Sequence, residues 1–151
     1  MVEYRPSYLS TTIANEFIRL AQRNGGLTHM QLQKLIYLAH VENLKRYDQP
    51  LVRGMFQAWS HGPVNVRVYV HLQHLGTEKI QKEIEDVPSG TDDRSKTLIE
   101  EIYKEYGHLT GSRLSKMTQK NTLFGKPWNN VYQKGRSNAI TNSVIRRAFS
   151  G

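Results

Sequence analysis

The chain contains no cysteine. Disulfides, thiolate nucleophiles, Cys-ligated zinc and iron–sulfur clusters are therefore excluded, and nothing argues for an oxidising compartment. Long hydrophobic runs are missing as well. The longest candidate, Leu35 to Val41, contains His40 and falls far short of the roughly 18 apolar residues a membrane span requires. The first ten residues carry Glu3 and Arg5 and no apolar stretch before a cleavage site, so no signal peptide is expected and the cytoplasm is the expected address. Five prolines and eleven glycines in 151 residues are too few for a collagen-like or low-complexity chain. A chain of this length can bury about 70% of the surface its unfolded form exposes, so one domain over residues 1–151 is expected.

Carboxylates are absent from one end. Residues 1–107 hold thirteen Lys/Arg and thirteen Asp/Glu, whereas residues 108–151 hold Arg113, Lys116, Lys120, Lys126, Lys134, Arg136, Arg146 and Arg147 with no acidic side chain. The whole formal charge of +8 lies there. Such a region attracts an anionic partner, either nucleic acid or an acidic protein surface, or serves solubility alone.

Apolar periodicity predicts a helix from Ser10 or Thr11 to Asn24, stopped by Gly25-Gly26, and a second from a capping box at Thr28 and Gln31 to Tyr47. Leu32, Leu35, Ile36, Ala39 and Leu44 form its stripe. Residues 51–59 read as extended. After the His61-Gly62-Pro63 turn, alternating valines suggest a strand, but Leu72, Leu75 and the place of Pro63 favour a helix over 64–75. Residues 76–93 read as an exposed polar connector. Further helices are expected from Asp92 or Asp93 to Gly107, after Thr110 through Leu114 and Met117, from Pro127 to before Gly135, and from a Thr141 cap through Phe149. The expected fold is mainly α, a single irregular helical domain with a short extended element near residues 51–60.

Catalytic patterns are sparse. His71 and His74 lie three apart, but no H-E-x-x-H or nearby Glu completes a metal site. There is no G-x-S-x-G and no phosphate-cradling glycine loop, so no metal and no cofactor is expected. Two aromatic clusters remain. In Ala58-Trp59-Ser60-His61-Gly62-Pro63, Trp59 is expected to anchor the turn in the core, while His61 is a turn residue, a hydrogen-bonding strut or a partner contact. In Lys126-Pro127-Trp128 with Tyr132, Trp128 is expected to pack, leaving Lys120 and Lys126 exposed.

Three ordered blocks resemble a known family. Leu32-Gln33-Lys34-Leu35-Ile36-Tyr37-Leu38-Ala39 is similar to the L-Q-K-L-[LI]-Y-[YL]-A helix of the Panacea-domain antitoxins, a family that includes SocA-like antitoxins and phage-associated GepA-like proteins. Ala58-Trp59-Ser60-His61-Gly62-Pro63-Val64, followed by Tyr69, resembles its A-W-x-[YH]-G-P-V turn. Leu114-Ser115-Lys116-Met117-Thr118, followed by Pro127-Trp128, resembles its third block, except that Gln119 stands where the family often has histidine. The resemblance spans most of the chain. It implies a mainly helical domain with no established enzymatic activity that neutralises a cognate toxin by direct binding, and in SocA-like members the antitoxin can also deliver its toxin to a protease; the chain is therefore not expected to be an enzyme. The residues it marks for the motif or for partner binding are Gln33, Lys34, Tyr37, Trp59, His61, Gly62, Pro63, Tyr69, Thr118 and Trp128. Two rivals are a nucleic-acid-binding regulator using the basic C-terminal region and, behind it, an enzyme with a site of Tyr37, Trp59 and His61.

Overall fold

The computed structural model describes residues 7–149. Helix α1 (Ser10–Ala21) runs into a 3-10 turn (Gln22–Asn24) and stops where Gly25 takes φ 87°. Helix α2 (His29–Tyr47) opens on the expected capping box: the Thr28 side chain accepts from the Gln31 amide, and the Gln31 side chain accepts from the Thr28 amide. Strands β1 (Phe56–Trp59) and β2 (Gly62–Asn65) form a hairpin, and helix α3 (Val66–Leu72) follows with a 3-10 turn (Gln73–Leu75). Helices α4 (Asp93–Tyr106), α5 (Gly111–Met117) and α6 (Lys126–Val131), strand β3 (Asn138–Ile140) and helix α7 (Asn142–Phe149) complete the order. The architecture is mainly helical with a small antiparallel sheet, strand order β2-β1-β3. Asp92, Thr110 and Thr141 each accept from the amide three residues on, which settles the cap of α4 on Asp92. No helix among the described residues is long and apolar enough to cross a membrane.

Helix α2 is the post around which the rest is built. The apolar stripe predicted on it is buried, but so are Gln33, Lys34, Tyr37, Leu38, His40, Val41 and Asn43, because α1, α4, α5, α7 and β2 surround the helix. Buried polar groups need partners. Asn43 donates to the Gln49 carbonyl at 2.7 Å, His40 Nδ1 accepts from the Leu51 and Val52 amides at 3.3 Å, Lys34 Nζ donates to the Pro63 carbonyl at 3.1 Å, and Gln33 both donates to and accepts from the Asn65 backbone. The polar side chains of one helix thus clip successive points of segment 49–65 onto it.

Three local expectations need correction. Val64 and Asn65 are in β2 rather than in a helix: the chain doubles back at Ser60-His61, Pro63 pairs with Ala58 and Val64 with Gln57, and helix α3 starts only at Val66 under an Asn65 cap. Only Val64 of the four alternating valines is in the strand; Val66, Val68 and Val70 are in α3, so the helix expectation holds from Val66 onward. Strand β3 was not expected; its three residues are too few to show a period, and it is held by pairing of Ile140 with Phe56. The 76–93 connector is largely exposed, as expected, but it is also strapped across α1: Ile80 is buried and bridges Leu27, Asn15 satisfies both the amide and the carbonyl of Ile84, and Thr12 donates to the Pro88 carbonyl. The buried apolar side chains form one contiguous core from Ile13 to Ile145.

Candidate functional site

The turn between β1 and β2 is held by side chains from across the chain. Trp128 Nε1 donates to the Trp59 carbonyl at 2.8 Å, Gln119 Nε2 to the Ser60 carbonyl at 2.8 Å, Ser115 Oγ to the His61 carbonyl, and Lys34 Nζ to the Pro63 carbonyl. Four of the five carbonyls in 59–63 therefore each accept from a side chain, drawn from α2, α5, the segment after α5, and α6. The exception is Gly62, whose φ of 112° lets the chain turn. Thr118 is fully buried beneath it and donates to the Leu114 and Ser115 carbonyls. The three motif blocks meet here as one framework, and Gln119, the departure from the family pattern, serves as one of its struts.

Lys34 is buried with no carboxylate in ion-pair range among the described residues, and burial holds its ammonium down from 10.5 to about 8. The sign follows directly: the unfolded chain keeps the proton to higher pH than the folded one, so stability rises as pH goes from about 8 to 10.5. Lys34→Met preserves volume and removes the buried charge. Urea denaturation should show wild type gaining about 3 kcal/mol relative to Lys34→Met across that range; parallel curves for the two proteins would contradict the assignment.

Tyr37 is fully buried, donates to the Phe124 carbonyl at 2.8 Å and meets Phe56 edge-on. Its phenol is raised well above the usual range by burial. It does not line the opening that Trp59 and His61 share, so the structure does not bring the three residues of the enzyme rival together. Trp59 also departs from expectation: it is half-buried rather than in the core, its ring edge-on to Tyr69 at 4.8 Å. His61 is exposed, with Ser60 Oγ at 3.3 Å from Nδ1. Trp128 packs against the edge of the core and stacks on Tyr132 at 4.3 Å.

Beside the hairpin lies an open cleft of about 360 Å³, whose walls include His29, Met30, Lys34, Trp59, His61 and Tyr69. Among the described residues no acidic side chain lines it. Burial, reinforced by the Lys34 charge, lowers the His29 imidazole below its usual value. Sequence reasoning missed His29 and Met30, which sit in the first turn of α2 and carry no motif signal. Among the described residues no group of three or more His, Asp or Glu side chains could hold a metal ion, and His71 and His74 are both exposed.

The C-terminal cations are dispersed over α5, α6, α7 and the connecting segments. Arg113, Lys116, Lys120, Lys134, Arg136 and Arg147 are exposed. Two differ from the sequence reading. Lys126 is half-buried, and Arg146 is spent within the chain on Asp48 at 2.7 Å.

Comparison with known proteins gives the same family as the motifs. Residues 32–124 match the family described as "Antitoxin SocA-like, Panacea domain", and the chain belongs to it. It is similar to the protein named Antitoxin SocA of Caulobacter vibrioides (strain NA1000 / CB15N), with 30% identity over 138 residues covering 82% of this chain and 72% of that protein. No solved structure matches the chain.

Proposed function

We propose that this chain is the antitoxin of a toxin–antitoxin pair and that, as one domain over residues 1–151, it neutralises a cognate toxin protein in the cytoplasm by direct binding. The observation that carries this reading is the family match over residues 32–124, supported by the 30% identity to a protein named as an antitoxin. The motif residues are consistent with a binding scaffold: Gln33, Lys34, Tyr37, Gly62, Pro63, Thr118 and Trp128 hold the hairpin and its surroundings in place, and Trp59, His61 and Tyr69 face the cleft. Delivery of the captured toxin to a protease would add a second partner after this step.

The test is co-expression with the product of the adjacent gene. That product alone should arrest growth, and this chain should restore it. A neighbour that is harmless alone, or equally toxic beside this chain, contradicts the proposal.

A nucleic-acid-binding role is the second reading, favoured by the carboxylate-free stretch 108–151. It requires retention on DNA at low salt and steep loss of retention as salt rises. Retention that ignores salt, or none, removes it.

A further inference from the structure

We infer that the cleft beside the β1–β2 hairpin is the docking site for an acidic segment of a partner protein, inserted through one bulky apolar side chain. The inference rests on the antitoxin reading and adds to it the surface used and the chemistry of the toxin segment that fits.

Size sets the first limit. At about 360 Å³ the cleft is at the lower end of ligand-binding pockets, and it suits one large side chain rather than a whole helix face. The walls set the second. Trp59 and Tyr69 present ring surface, and Met30 at the edge of the cleft is 37% exposed, one of few large apolar side chains so placed among the described residues. An exposed methionine beside half-buried aromatics is an adaptable apolar receptor.

Charge selects the sequence around the anchor. Among the described residues the lining holds no carboxylate, and its one ammonium, Lys34, is buried and bonded to the Pro63 carbonyl, so the exposed charge beside the cleft comes from α5. Gly111, the first residue of α5, also lines the cleft, and α5 carries exposed Arg113 and Lys116 with no acidic residue. A partner bearing Asp or Glu beside its anchor would meet Arg113 and Lys116 on the α5 side, with Glu78 after Thr77 on the other, which orients the acidic flank toward α5 and disfavours basic competitors there.

A run of bases needs a row of aromatic faces. The cleft offers one pair, Trp59 and Tyr69, edge to face at 70°, and the stacked pair of Trp128 and Tyr132 does not line it.

The experiment uses the full-length purified chain and a fluorescein-labelled acidic peptide, Glu-Asp-Phe-Glu-Asp. Controls are the same peptide with serine at the anchor, a Lys-Lys-Phe-Lys-Lys peptide, and a single-stranded oligothymidylate. Anisotropy should rise for the acidic Phe peptide, and its addition should shift the Trp59 indole and Met30 methyl resonances. Met30→Glu should weaken binding at least about tenfold. An acidic residue in the first turn of α2 suits the helix dipole, so the fold should persist. Met55→Glu makes the same charge change at a methionine that is 55% exposed and does not line the cleft, and it should stay within about twofold of wild type. If the circular dichroism of Met30→Glu shows misfolding, Thr77→Glu on the cleft lining replaces it.

Absence of binding, equal binding of the basic peptide or the oligothymidylate, or no difference between Met30→Glu and Met55→Glu would overturn the inference. Rescue of toxin-arrested growth separates this failure from that of the antitoxin reading. Undiminished rescue by a folded Met30→Glu protein overturns the cleft as the toxin's docking site and leaves the antitoxin assignment standing. Failure of wild type to rescue removes the antitoxin reading itself.

Discussion

Replacing Gly62 by alanine is expected to destabilise the protein by about 3 kcal/mol or more, the summed cost of an unfavourable backbone conformation and an overfilled interior. At φ 112° an L-residue is strained whatever its surroundings. The surroundings add to this. A Cβ at Gly62 would come within 2.8 Å of Thr118 Oγ1 and 2.9 Å of Lys34 Cε. Neither neighbour can yield cheaply, since both are buried, Thr118 donates to two carbonyls, and the Lys34 ammonium is tied to the Pro63 carbonyl. Gly54→Ala is the matched control. Its φ is 82°, yet nothing lies within 4 Å of the added carbon, so it should cost only the backbone strain of about 1 kcal/mol. Urea denaturation of the two variants decides the matter. Equal losses would mean that the hairpin is not clamped between Lys34 and Thr118.

Acid should unfold the protein through His40. Its ring is fully buried, its Nδ1 faces the Leu51 and Val52 amides, and Nε2 lies 2.9 Å from Asn142 Oδ1. Nδ1 must therefore be the acceptor and Nε2 the donor, and a second proton would point at two N–H groups. Burial lowers the imidazole from 6.5 to about 4; the nearby Arg146 charge acts in the same direction, and the Asn142 bond opposes them. Because the folded value is the lower one, the stabilisation is complete above pH 6.5 and is lost as pH falls toward 4. The loss should reach about 3 kcal/mol. His29 contributes in the same direction, so the diagnostic quantity is the difference between wild type and His40→Gln. The variant should lack most of the slope between pH 6.5 and 4. An unchanged slope would place the acid sensitivity elsewhere.

The parts legible in the sequence were those written in local chemistry. Thr28 with Gln31, Thr110 and Thr141 announce their helices because a cap needs only a side-chain oxygen and an amide two or three residues on. What the sequence hid is non-local. Nothing near Trp59 says that its carbonyl will meet the indole of Trp128, sixty-nine positions away. Likewise His40 reads as one polar residue interrupting an apolar run, and its role depends on where residues 51, 52 and 142 arrive. Helix α2 looked amphipathic because only its apolar stripe follows the helical period, whereas its buried polar residues follow the positions of the loops they hold. The motif blocks mark the hairpin's supports as well as the residues facing the cleft, and the spacing alone does not separate the two.

Direct binding is the centre of the account, and titration calorimetry tests it most plainly. The purified chain is titrated with the purified product of the adjacent gene. A saturable heat with a defined stoichiometry and a dissociation constant of about 1 μM or tighter is predicted. Full relief of arrest in cells, with no detectable heat or co-elution of the two proteins at tens of micromolar, would contradict it.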